Sequence, residues 1–230
     1  MSRIILIETS TALCSTALVD NGRIVSSRES SEPRTHASKT ALFIKEMLDE
    51  SGLKVNDCDA VCVSMGPGSY TGLRVGVSTA KGLCFAAGLP LIAVDTLETL
   101  VWQAFDEGLV PEGCMHIIPM IDARRMEVYT AVYDSDKKRA CDIEPLIIDE
   151  NSFTQQLAAG PVLFIGDGAG KCASTLTSPN ATFVQECPKA VSMLHPALKA
   201  FEEKRFENTA YFEPFYLKQF VATVSKKNLF

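Results

Sequence analysis

The segment Gly66-Pro-Gly-Ser-Tyr-Thr-Gly-Leu-Arg74 gathers three glycines, three hydroxyls and a cation into one short stretch. It follows an apolar run and opens a helix-period segment. A turn of this kind can present free backbone N–H groups at the positive end of a helix, which is the chemistry of an anion site. The spacing Gly66, Gly68, Gly72 is not Gly-x-Gly-x-x-Gly, so the dinucleotide fingerprint fails. A strand-to-helix turn also uses glycine for its own geometry. The weak candidates for contacting a nucleotide or phosphate are therefore Gly66, Gly68 and Ser69. Glu8, Thr9 and Ser10, at the end of the first apolar run, join them.

Other chemistry-bearing segments are weaker. Gly166-Asp-Gly-Ala-Gly-Lys-Cys172 has three residues between Gly166 and Gly170 where a Walker loop has four, and Cys172 replaces its magnesium-binding hydroxyl. It reads as a tight strand-to-helix connection. His36, His116 and His195 are far apart, and none has a His or Cys at helical spacing, so no metal pair forms locally. Glu8 offers a single carboxylate. Asp122-Ala-Arg-Arg125 reads as a charged hairpin or a site, with nothing in the residues to choose between them. The Gly-x-Ser-x-Gly nucleophile elbow is missing from the sequence. No catalytic residue and no metal ligand set is assigned.

The elements needed to position these residues come as one unit repeated. In the first half, strands are expected at Arg3–Thr9, Ser15–Asp20 and Arg23–Ser27, with Asn21-Gly22 as a hairpin turn. A helix over His36–Ser51 closed by Gly52, a strand Asp59–Met65, a helix Thr71–Ala87 and a strand Pro90–Val94 follow. Asp95 and Glu98 form a capping pair for a third helix. The second half repeats the order. Its strands are expected at His116–Ile121, Glu127–Tyr133, Ile143–Ile148, Val162–Ile165 and Thr182–Val184, and its helices near Ser152–Ala159 and from Ala169. A final helical stretch, Pro188–Phe206, is expected to break or kink at Pro196. The fold class is α/β, as two lobes with mixed sheets and flanking helices. The lobes are placed at 1–107 and 108–210, with a linker near Phe105–Glu112, and 211–230 is a candidate to rejoin the first lobe.

Two helices carry a feature of their own. Gly72, Gly76, Ala80, Cys84 and Gly88 recur at i+4 as a ridge of small residues, which lets a neighbouring backbone approach closely. On the earlier helix Phe43, Ile44, Met47 and Leu48 cover a wide arc, with Leu42 near the far side. Burial on two sides within one lobe and a face offered to another subunit both fit. The interface candidates are Phe43, Met47, Gly72, Leu73, Gly76, Val77, Ala80 and Cys84.

Composition bounds the function classes. Lys and Arg number 22 against 28 Asp and Glu, net −6, which argues against a protein that grips nucleic acid alone. Eight cysteines without a Cys-x-x-Cys read as buried free thiols. The longest apolar run is too short to span a membrane and the start is not a signal peptide, so a cytoplasmic address is expected. From the residues alone the chain is a two-lobed protein with a crevice.

Several segments together resemble the TsaB (YeaZ) family. They are Ile7-Glu-Thr-Ser-Thr11, His36-Ala-Ser38, Gly66 through Gly76, Ala80-Lys-Gly-Leu83, Pro90-Leu-Ile-Ala-Val94, Asp122-Ala-Arg-Arg-Met-Glu-Val-Tyr129 and Tyr216-Leu-Lys218. The resemblance implies the actin/Hsp70/sugar-kinase-like (ASKHA) fold, with RNase-H-like lobes, and a role in making threonylcarbamoyladenosine (t6A) on tRNA. It implies a non-catalytic subunit that binds TsaD in a heterodimer and assembles with the ATPase TsaE. An apolar face awaiting TsaD can pair with itself, so a homodimer is expected when TsaD is absent, and net −6 makes the expected contact with tRNA indirect. No cofactor is required by this reading, with ATP or ADP an open expectation at a complex interface. TsaD carries a metal-binding His-x-x-x-His where this chain has Thr96-Leu-Glu-Thr-Leu100. Leucine offers no donor atom, and a hydroxyl alone holds a borderline-soft metal poorly. The readings set against this one are an ATP-hydrolysing enzyme using the crevice, with Glu8 and Asp122 as its acids, and a metallopeptidase.

Overall fold

The computed structural model describes residues 2–218. Its elements are β1 (Arg3–Glu8), β2 (Cys14–Asp20), β3 (Arg23–Ser30), α1 (His36–Glu50), β4 (Ala60–Gly66), α2 (Tyr70–Ala87), β5 (Leu91–Asp95) and α3 (Thr96–Asp106). The second unit continues with β6 (His116–Asp122), β7 (Glu127–Thr130), β8 (Tyr133–Asp134), β9 (Glu144–Ile147), α4 (Thr154–Ala159), β10 (Val162–Ile165), α5 (Ala169–Cys172), β11 (Ala181–Val184) and α6 (Leu194–Glu202). The first sheet runs β3-β2-β1-β4-β5, and the second runs β9-β7-β6-β10-β11 with β8 paired to β6. Both have antiparallel hairpin strands on one side of the central strand and parallel crossover strands on the other. The duplication read in the sequence is thus a duplication of topology.

Local chemistry explains the boundaries. Asn21 and Gly22 both have positive φ, 51° and 75°, as a two-residue hairpin turn matched to strand twist requires. Asp95 caps α3 by accepting from the N–H groups of Leu97 at 2.7 Å and Glu98 at 3.4 Å. The expected strand 127–133 divides into β7 and β8, and α5 is a single turn. Pro196 is corrected: it lies inside the first turn of α6, where its missing N–H would have had no intrahelical partner. The break falls before Leu194, where the short 3₁₀ turn Ala190–Met193 hands over to α6.

Core packing crosses the expected lobe boundaries. In β1, Ile5 and Ile7 face α1 and α2, while Ile4 and Leu6 face the other side of the sheet. That second face is covered by Ala190, Met193, Ala197 and Ala200, which follow β11 in the chain. Reciprocally, Leu97, Leu100, Val101 and Ala104 of α3 pack with Ile117, Ile121, Leu163 and Ile165 of the second sheet. The third helix of each unit therefore packs on the other unit's sheet. Boundaries at 107 and 210 do not follow the packing, because each cut removes a layer that the adjacent sheet needs to bury its apolar face.

Candidate functional site

A crevice of about 1010 Å³ lies between the lobes. Its first-lobe wall includes Ser10, Gly68, Ser69 and His36, and its second-lobe wall includes Asp122 and Asp167. The chain itself reaches back to it, since Phe215 through Lys218 line the same cavity. Of the six weak ligand candidates, Ser10, Gly68 and Ser69 line the crevice. Glu8 and Thr9 are fully buried, and Gly66 is buried beneath the returning segment.

The glycine turn is filled by the chain's own backbone. A Cβ on Gly68 would stand 2.4 Å from the Ser10 carbonyl oxygen, and one on Gly72 would stand 2.1 Å from that of Thr9. On Gly76 it would meet the Thr9 hydroxyl at 2.2 Å. Each is far inside van der Waals contact, so the β1–β2 loop can lie on α2 only because these residues are glycine. The Ser69 N–H donates to the Ser10 carbonyl at 2.6 Å, and the Gly72 N–H donates to Ser69 Oγ at 3.3 Å. Two of the backbone donors at this helix start, Ser69 N–H and Gly72 N–H, are in this way satisfied internally.

Behind the turn lies a buried polar cluster. Glu8 Oε1 accepts from the Ser10 N–H at 2.6 Å, and the hydroxyls of Ser10 and Ser64 stand close enough to the carboxylate to influence its titration. Burial pushes the Glu8 carboxyl up to about 7, against the lowering pull of Ser10 and Ser64. Burial likewise raises Asp95 and Asp167 to about 6. Asp167 accepts from the Asp122 N–H at 2.9 Å, and Lys171 pairs with Asp122 and donates to the Glu127 carbonyl at 2.7 Å. The lysine of the Walker-like segment thus pins the Asp122–Arg125 hairpin. Thr96 opens α3, and Leu100 is buried in the core of the second lobe. Among the described residues no group of three or more His, Cys, Asp or Glu side chains could hold a metal ion. No helix there is long and apolar enough to cross a membrane.

The side chains of the interface candidates are buried within the first lobe. Met47, Val77, Ala80 and Cys84 are part of the first lobe's core, and Phe43, Gly72, Leu73 and Gly76 are buried with them. The small-residue ridge faces β1 and β4, where close approach lets helix and sheet interlock. What α1 and α2 leave outward is Leu42, 48% exposed, and Phe85, 89% exposed. Phe85 follows Cys84 directly, and the sequence signal for it was an aromatic off the ridge on a helix whose inner face was already complete.

The chain matches the family model described as TsaD, tRNA N6-adenosine threonylcarbamoyltransferase, over residues 24–224. It is 32% identical to the tRNA threonylcarbamoyladenosine biosynthesis protein TsaB of Escherichia coli K12, covering 96% of each chain. The structure superposes on YeaZ from Pseudomonas aeruginosa with a TM-score of 0.82 at 29% identity, covering 94% of this chain and all of the other. A polyphosphate/ATP-glucomannokinase from Arthrobacter aligns at 10% identity with a TM-score of 0.51, over 88% of this chain and all of the kinase, a likeness of fold alone. Sheet order, glycine turn and these likenesses agree on the two-lobed ASKHA fold, and the chain belongs to the TsaB (YeaZ) family of tRNA threonylcarbamoyladenosine biosynthesis proteins.

Proposed function

We propose that this chain is a non-catalytic subunit of the complex that transfers a threonylcarbamoyl group to N6 of an adenosine in tRNA. In this reading it binds and activates a TsaD-type transferase and assembles with the TsaE-type ATPase. The observation that carries the proposal is the filled glycine turn. The Ser10 and Thr9 carbonyls lie against Gly68 and Gly72, and the Ser10 carbonyl takes the Ser69 N–H, a donor a nucleotide phosphate would otherwise use. The Thr96 and Leu100 side chains, where a transferase of this type would carry metal-binding histidines, support the same reading. So do two exposed apolar side chains on neighbouring helices, Leu42 on α1 and Phe85 on α2, which suit contact with a protein partner. The chain alone requires no cofactor; a nucleotide taking part in the reaction is held at an interface with a partner. Net charge −6 supports a reading in which most of the grip on tRNA comes from the other subunits.

The test is t6A formed on a tRNA transcript by the transferase, the ATPase and the adenylate-forming enzyme, with and without this chain. Product that depends on the chain and survives Glu8→Gln supports a required subunit without chemistry of its own. Unchanged product on omission removes the assignment.

A further inference from the structure

The segment after α6 is fastened to both lobes. The Glu207 N–H donates to the Leu91 carbonyl at 2.8 Å, at the edge of the first sheet. Lys81 of α2 then holds the carbonyls of Ala210 at 3.1 Å and Phe212 at 3.0 Å, and the Phe212 side chain packs on the first lobe's core. The Phe215 N–H donates to the Met65 carbonyl at 2.7 Å. Tyr216 lies against Tyr70 with ring centroids 4.8 Å apart. Lys218 reaches the other lobe, where it pairs with Glu127 and stands 5.9 Å from the centre of the Tyr129 ring, both on β7. Between these ends Phe215, Tyr216, Leu217 and Lys218 form part of the crevice wall.

The seat for this segment is built into the glycine turn. A Cβ on Gly66 would stand 2.8 Å from the Phe215 carbonyl oxygen, at a residue whose φ is 110°. Gly66 is thus glycine both for its own backbone and for the returning chain that lies on it. The two ends differ in strength. On the first lobe the segment is held by backbone hydrogen bonds and a partly buried aromatic. On the second it is held by one partly exposed ion pair and a cation over an aromatic ring, contacts that contribute little and are screened by salt.

We propose that residues 210–218 are a strap across the crevice, permanently seated on the first lobe and latched to the second through Lys218 and Glu127. Release of the latch frees β7 and the Asp122–Arg125 hairpin from the first lobe and widens the crevice, while residues 210–215 stay seated. The strap lies along Tyr70 and Lys81, on the same helix that presents Phe85 outward.

Amide hydrogen exchange of the full chain tests this, read on peptides covering 121–130 and 210–218. Lys218→Glu should speed exchange about tenfold in 121–130 and 216–218 with little change in 210–215. The reversed pair Lys218→Glu with Glu127→Lys should restore it, and 1 M NaCl should mimic the single variant. Unchanged exchange in Lys218→Glu overturns the proposal. So does loosening confined to 216–218 with 121–130 still protected, because the segment then ends on the second lobe without holding it. A reversed pair that fails to restore protection also overturns it, by separating Lys218 from Glu127.

Discussion

The carbonyl oxygen of Thr9 lies where Gly72 lacks a Cβ, 2.1 Å from the position that atom would take, and the Thr9 hydroxyl donates to the Gly72 carbonyl at 2.9 Å. The first strand's exit and the second helix's entry are thereby fixed to each other by a backbone approach and one short side-chain bridge. Gly72→Ala forces that contact apart and should cost about 2–3 kcal/mol, the upper range for overpacking. Gly82 lies on the same helix with nothing within 4 Å of its Cβ position. Gly82→Ala should therefore stabilise by about 0.5–1 kcal/mol through helix propensity alone. Urea unfolding of the two variants checks the contrast, and equal effects would show that the close approach is not what selects glycine at 72.

Glu8 makes stability fall as pH rises. Its folded carboxyl is raised to about 7 from an ordinary 4.5, chiefly by burial. Between those two values the folded chain binds more protons than the unfolded one, so its stability declines with increasing pH. Below the lower value both states are neutral at this group; above the upper one the burial cost is fully present. Glu8→Gln keeps an acceptor for the Ser10 N–H and cannot ionise. Its advantage over the natural chain should be near zero at pH 4.5 and on the order of 2–3 kcal/mol at pH 8. A stability difference that stays flat across that range, measured by denaturant titration, would refute the burial account.

Periodicity and turn chemistry carried most of the fold, because they are local. Asn21-Gly22, the Asp95 cap and the apolar run of β1 each depend on neighbours a few residues away. Pro196 misled for the same reason: a proline's effect depends on its distance from a helix start, and that start is set by how Ala190–Met193 packs on the first sheet. The interface candidates make a different point. A ridge of small residues reports close approach without naming what approaches, and here it is the backbone of Ser10 and Thr9. The glycine turn was legible as a special place, but Gly68 and Gly72 face Ser10 and Thr9 from distant parts of the chain, which no local pattern reveals.

Exchange of the third helices predicts how fragments behave. Residues 1–107 lack Ala190, Met193, Ala197 and Ala200, leaving Ile4, Leu6, Val19 and Val94 uncovered. Residues 108–230 lack Leu97, Leu100, Val101 and Ala104, leaving Ile117 and Leu163 bare. Neither fragment should show the dispersed amide spectrum of a folded domain alone, and mixing them should recover it. A folded, monomeric 1–107 would mean that the first lobe's sheet does not need α6.

Phe85 and Ala80 separate partner binding from folding. Phe85 is 89% exposed, so Phe85→Asp should shift monomer stability by no more than about 0.5 kcal/mol. A lone exposed aromatic at a contact face is the kind of residue on which binding energy concentrates. Combined with Leu42→Asp, it should weaken pairing with a transferase partner, or with a second copy, at least about tenfold, corresponding to 1.4 kcal/mol. Ala80 is fully buried against the first lobe's sheet. Ala80→Trp should therefore reduce pairing only by unfolding the chain, with lost thermal stability accompanying every loss of binding. Sedimentation velocity and thermal melts on the same samples read both quantities. If Phe85→Asp leaves association untouched while Ala80→Trp abolishes it in a chain that still melts normally, the ridge, not the outer face, is the contact.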